Sequence, residues 1–135
     1  MVIRDNLDRV IESHYMFPLC VTETLNLTAN MLIGNMPQNL DNLVNLKNLD
    51  LSSNSINDIL PEELFQMESL QELILSNNSF YGTIPQSYEN FQGLDMYLDG
   101  NRLSGVIPPL SEGSLLNLGK LNRMTLTYCS IQFTN

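Results

Sequence analysis

The side chains best able to do chemistry in this chain are its carboxylates. Asp50, Glu72, Asp95 and Asp99 recur at alternating positions of segments that read as successive strands. Asp95 and Asp99 share one strand face, the arrangement from which a calcium site could be started. Calcium takes about six or more oxygens, and this pair falls short of that, so no metal is assigned. His14 is the only histidine, which excludes a site built from several histidines. A Ser-His-Asp or Cys-His arrangement would have to recruit that one residue from outside the patterned part of the chain. The glycines are spaced rather than clustered, so no loop cradles a phosphate. The residues therefore imply no enzyme and no cofactor.

The elements that hold these carboxylates follow from a spacing. Asn30, Asn54 and Asn78 recur every 24 residues. Around Asn54 the pattern reads Leu46-x-x-Leu49-x-Leu51-x-x-Asn54-x-Ile56, followed by Leu60-Pro61, Leu64 and Met67. The first unit carries Leu25, Leu27, Asn30, Leu32, Gly34 and Met36-Pro37. The third carries Leu73, Leu75, Asn78, Phe80, Gly82 and Ile84-Pro85. The fourth has Met96, Leu98, Asn101, Leu103, Gly105 and Ile107-Pro108, and a partial fifth has Leu121, Met124, Leu126, Cys129 and Ile131. A fixed period of this length with this leucine pattern marks a leucine-rich repeat solenoid.

Each slot has a physical reason. Side chains alternate across a strand, so the Leu-x-Leu pair is a short strand with both leucines inward. The asparagine slot follows a sharp turn, where one side chain with two donors and an acceptor can satisfy buried backbone groups. Stacked units should form a ladder of Asn30, Asn54, Asn78 and Asn101, ended by Cys129. Gly34, Gly82 and Gly105 permit backbone angles closed to other residues. Asp58 takes that slot in the second unit, as a residue tolerant of left-handed geometry. Cys20 precedes the first strand and Cys129 lies in the fifth unit. Four strand spacings separate them by roughly 19 Å, beyond the ~7 Å Cα limit for a disulfide, so both are expected to be free.

The exposed strand positions then fall into three columns. The first is Thr24, Asn48, Glu72, Asp95 and Arg123. The second is Asn26, Asp50, Ile74, Tyr97 and Thr125. The third is Thr28, Ser52, Ser76, Asp99 and Thr127. Asp50, Glu72, Asp95 and Asp99 make the middle of this face acidic, and Ile74 beside Tyr97 puts an apolar spot within it. An aromatic beside an exposed aliphatic is typical of an interface anchor, which makes these six residues the candidate ligand-binding set. A solvated acidic sheet with scattered apolar residues is the plain alternative. Asn26-Leu-Thr28 and Asn77-Asn-Ser79 are acceptor sequences for N-glycosylation.

The Gly-x-Ile-Pro sequence after the asparagine, as in Phe80-Tyr-Gly-Thr-Ile-Pro85 and Leu103-Ser-Gly-Val-Ile-Pro108, resembles the plant-type leucine-rich repeat family. Its members include receptor-like kinases, receptor-like proteins and cell-wall enzyme inhibitors. The resemblance covers roughly residues 20–131. It implies an α/β fold: a right-handed, curved solenoid with a parallel sheet on its concave side and irregular or 3-10 segments on its convex side. It also implies binding of proteins, peptides or other ligands, in most members outside the cell. The paired-cysteine caps common in secreted members are missing, as is the tryptophan often found in their N-terminal cap.

Residues 1–19 lie outside the repeat. Val2/Ile3, Leu7, Val10/Ile11 and His14 recur at helical spacing, so this segment is expected to be a short helix capping the first unit. Residues 20–135 are then the repeat domain, about five units, the last partial and without a C-terminal cap. Charges interrupt the N-terminus every few residues, so it is not a secretory signal peptide. The chain is either cytoplasmic or begins upstream of Met1. Fifteen acidic against six basic residues, a net charge of −9, argue against nucleic acid and against anionic membranes. The sequence thus reads as a non-catalytic recognition module of a receptor-like or secreted protein, with a protein or peptide ligand of basic character. The competing readings are an inhibitor docking on a cell-wall-degrading enzyme and a structural, surface-contacting array.

Overall fold

Alternation along the Leu-x-Leu slots builds the main sheet. The computed structural model describes residues 3–4, 10–11, 22–36, 40–90, 94–107, 121–125, 127 and 129–133. Numbered along the chain, its strands are β1 (Ile3–Arg4), β2 (Val10–Ile11), β3 (Thr24–Asn26), β4 (Ile33–Gly34), β5 (Asn48–Asp50), β6 (Ser55–Ile56), β7 (Glu72–Ile74), β8 (Tyr81–Gly82), β9 (Leu94–Tyr97), β10 (Arg102–Ile107), β11 (Leu121–Thr125) and β12 (Ser130–Phe133). One strand from each unit joins a five-stranded parallel sheet in the order β11-β9-β7-β5-β3. Between those strands and the next unit the chain makes 3-10 turns at Leu40–Asn42, Glu62–Gln66 and Gln86–Asn90. The fold is a leucine-rich repeat solenoid.

The inward slots are closed to water. Leu49, Leu51, Leu73, Leu75, Met96 and Leu98 are buried, as are Leu32, Ile56, Phe80 and Leu103 just past the ladder. The convex turns add Leu40, Leu60, Leu64, Phe65 and Tyr88 to the same core. Each fully buried leucine contributes about 1.5–3 kcal/mol of hydrophobic stabilisation. Because each unit touches only its neighbours, this core is a continuous column and not a central knot. Leu25 and Leu27, in the first unit, are only partly buried against it.

A second set of strands runs along the flank, and the sequence reading missed it. Strands β4 and β6 form one parallel pair, and β8, β10 and β12 a three-stranded parallel sheet. An isolated parallel bridge joins Ile59 to Tyr81. The register steps by two residues per unit: Ile33 pairs with Ser55 and Tyr81 with Arg102. Most of these strands are two residues long, too short to show an alternation.

Two local expectations change. At the N-terminus the described residues are strands and not a helix: β1 and β2 pair antiparallel, Ile3 with Ile11 and Arg4 with Val10. The segment's apolar pairs are rich in β-branched residues, which favour strands. The remainder of residues 1–19, His14 included, lies outside the described residues, as do Cys20 and the long connection 108–120. The second change is at Asp58. Gly34, Gly82 and Gly105 have φ of 89°, 80° and 94°, but Asp58 is not among the positive-φ residues. It fills the slot through its carboxylate, which accepts the Met36 N–H at 3.0 Å and its neighbour Ile59 N–H at 2.8 Å. Among the described residues, the left-handed ones other than these glycines are Ala29, Ser53, Asn77 and Gly100, each directly before a ladder asparagine.

Candidate ligand-binding face

The ladder sets the strand spacing on which the face is built. Asn54 Nδ2 donates to the carbonyls of Leu51 and Ser52 in its own unit, and to Leu27 in the unit before, at 2.9–3.1 Å. Its Oδ1 accepts the Leu32 N–H at 3.0 Å. Asn78 repeats this with Leu75, Leu51 and the Ile56 N–H. Asn101, itself buried, repeats it with Leu98, Leu75 and the Phe80 N–H. Asn30 donates to Leu27 and Thr28 carbonyls. Cys129, a free thiol, closes the series with Sγ 3.5 Å from the Leu98 carbonyl. Every asparagine after the first thus joins two units, satisfying buried backbone groups that would otherwise be costly.

On the concave sheet the ladder brings the candidate residues into rows. Thr24, Asn48, Glu72, Asp95 and Arg123 are cross-strand partners in turn. So are Asn26, Asp50, Ile74, Tyr97 and Thr125. Ile74 and Tyr97 are therefore immediate neighbours, and both are half-buried. Asp99 lies past the end of β9, in the row with Thr28, Ser52 and Ser76.

The carboxylates are not bare. Asp50 accepts the backbone N–H and the hydroxyl of Ser52 at 2.9 and 2.6 Å, and the Asn26 amide at 3.3 Å. Glu72 accepts the Asn48 amide at 3.0 Å. Asp99 accepts the Thr127 N–H at 2.6 Å. These three carboxylates thus prop the turn or the row beside them. The sheet consequently offers a pre-organised acidic surface with an Ile-Tyr pair in its second row. In the third row the Thr28 and Ser52 hydroxyls are 2.7 Å apart. Of the two glycosylation sequences, Asn26 sits on this face with its amide turned to Asp50, and Asn77 is exposed at the rim. Among the described residues no group of three or more His, Cys, Asp or Glu side chains is arranged to hold a metal ion.

Comparison with known proteins agrees with this architecture. The family model described as leucine rich repeat matches residues 20–80. Solved plant receptor ectodomains superimpose along most of the chain. Its repeats are of the plant leucine-rich repeat type. A plant peptide hormone receptor, RGFR1 in complex with RGF2, is 35% identical with a TM-score of 0.65, over 75% of this chain and 16% of that one. The ectodomain of the receptor kinase GASSHO1/SCHENGEN3 from Arabidopsis thaliana, in complex with CASPARIAN STRIP INTEGRITY FACTOR 2, is 34% identical with a TM-score of 0.67, over 79% and 13%. A plant ice-binding protein is 28% identical with a TM-score of 0.78, over 90% and 37%. The chain thus spans well under half the length of each of these relatives. A search of curated proteins found no match.

Proposed function

We propose that this repeat segment recognises a protein or peptide ligand on its concave sheet, without catalysis, within a larger receptor-like or secreted protein. The observation that carries the reading is the Ile74–Tyr97 pair, half-buried side by side on a sheet otherwise lined with polar residues. Large rigid side chains beside satisfied carboxylates are what an interface anchor requires. Asp50, Glu72, Asp95 and Asp99 surround the pair with negative charge, which favours a ligand pairing an apolar residue with Lys or Arg. Structural relatives that carry bound ligands, RGF2 and CASPARIAN STRIP INTEGRITY FACTOR 2, support the reading at the level of the fold.

The test is binding of a panel of synthetic peptides that pair an apolar residue with Lys or Arg. Tyr97→Ala should abolish binding, and Asp95→Lys should weaken it, both without loss of the fold. Undiminished binding by Tyr97→Ala would place the ligand elsewhere. An inhibitor of a cell-wall-degrading enzyme would use the same face against a basic enzyme rim, with affinity falling as salt rises.

A surface-contacting role, as in the ice-binding relative, has one observation behind it: the paired hydroxyls of Thr28 and Ser52. It requires the Thr and Ser column to continue, and Asp99 interrupts that column. Ice-growth inhibition by this chain that survives Thr28→Lys would exclude a role for this row.

A further inference from the structure

The exposed large apolar residues of the later units lie on the flank and not on the concave face. Ile59, Tyr81 and Val106 are 52%, 46% and 43% exposed. Isolated exposed apolar residues are ordinary, but two of these three are joined. Ile59 and Tyr81 are bridge partners, and Tyr81 pairs in turn with Arg102 on β10. The flank thus carries an Ile-Tyr-Arg row, of which Tyr and Arg are residue types enriched at interfaces. Gly82 makes room for it: a Cβ there would come within 3.3 Å of Ile59 Cγ2.

Ile59 also forms one wall of a groove of about 730 Å³ that runs across the first three units. Met36, Leu60 and Leu64 lie behind its surface and are almost wholly buried, so Ile59 supplies its exposed large apolar side chain. Its lip is acidic: Glu62 and Glu63 line it and are exposed. Asp58 also lines the groove and accepts two backbone N–H groups. The place of the two glutamates at the start of a 3-10 turn is electrostatically favourable in itself, which explains their tolerance there but not the exposed Ile59 beside them.

We propose that this flank is a second docking surface, separate from the concave sheet, that takes a segment of a partner protein with an apolar anchor and flanking Lys or Arg. The anchor enters the groove beside Ile59 and Tyr81, and the basic residues face Glu62 and Glu63. Charge decides the occupant. A second copy of a chain with net charge −9 would bring like charge against the lip, and an anionic membrane would do the same. The groove belongs to the flank strands and the convex turns, whereas the concave candidates lie on β5, β7 and β9 or, for Asp99, just past β9, so one chain can hold both partners.

The experiment is a random peptide library panned on the whole chain, with counter-selection on the Ile59→Ser/Tyr81→Ser variant. The expected survivors carry an aromatic or aliphatic residue flanked by Lys or Arg. Their affinity for Glu62→Lys/Glu63→Lys should be weaker by roughly tenfold or more, and their affinity for Tyr97→Ala unchanged. Both glutamates are exposed, so the charge-reversed variant keeps the fold even if the counter-selection variant does not. The inference is overturned if no peptide survives, if survivors lack basic residues, or if charge reversal leaves their affinity intact. Survivors lost on Tyr97→Ala would assign them to the concave face and also overturn it.

Discussion

Replacing Asn54 by leucine tests the ladder at a single atom. Asn54→Leu removes three donated bonds and one accepted bond, but most of the partners are held twice. The Leu27 carbonyl keeps the Asn30 amide, the Leu51 carbonyl keeps the Asn78 amide, and the Ser52 carbonyl keeps the Ala29 N–H. The Leu32 N–H loses its acceptor, Asn54 Oδ1, inside a residue with no solvent exposure. An orphaned buried donor costs about 1–3 kcal/mol, and for a chain of this size each kcal/mol lowers the melting temperature by roughly 3–6 °C.

Asn30→Leu is the internal control. Among the described residues the Asn30 side chain only donates, to Leu27 and Thr28 carbonyls, so its loss orphans no N–H and should cost about 1 kcal/mol or less. Asn54→Asp keeps an acceptor for Leu32 but turns an oxygen toward the Leu27 and Leu51 carbonyls that the amide contacts at 2.9 Å. It should therefore destabilise at least as much as leucine. The assay is urea unfolding followed by far-ultraviolet circular dichroism. The reasoning fails if Asn30→Leu costs as much as Asn54→Leu, or if Asn54→Asp is neutral.

Further outcomes follow from particular contacts. Ala29 has φ of 53°, a left-handed conformation that costs a residue with a Cβ about 1–2 kcal/mol, so Ala29→Gly should raise the melting temperature; a decrease would refute the strain. Gly105→Ala would place a Cβ 2.8 Å from Thr83 Cγ2, whereas a Cβ at Gly34 meets nothing within 4 Å. With both glycines at positive φ, Gly105→Ala should be the more destabilising, and Thr83→Ser should restore part of its loss in a double-mutant cycle. Expressed through a eukaryotic secretory pathway, the chain should gain a glycan at the exposed Asn77. Loss of an enzyme-sensitive mass increment on Asn77→Gln would confirm it, and an unchanged mass would refute it.

The repeat was legible because its slots are local. Leu49 and Leu51 must point one way on a strand, and Asn54 must follow the turn, whatever lies far away. The concave rows were legible for the same reason: counting back a fixed number of residues from each asparagine reproduces the register of Glu72 with Asp95 and of Ile74 with Tyr97, even where the period shortens to 23. Asp58 was misread because two chemistries fit one slot. A left-handed angle and a carboxylate that accepts N–H groups leave the same gap in a glycine column, and only the backbone geometry separates them. The left-handed residues went unrecognised because Ala29, Ser53 and Asn77 carry no glycine signal; only Gly100 does.

The sequence by itself therefore determined the solenoid, its core, the ladder and the composition of the concave face. These depend on alternation and period, which the order of residues contains completely. The tertiary structure decided which carboxylates are already engaged by neighbours. It also decided the pairing of β1 with β2 and the existence of the flank sheet. Ile59 and Tyr81 belong to different units at unlike positions, five residues past one asparagine and three past the next. They meet because the flank register slips by two residues per unit, and that slip comes from how the units stack.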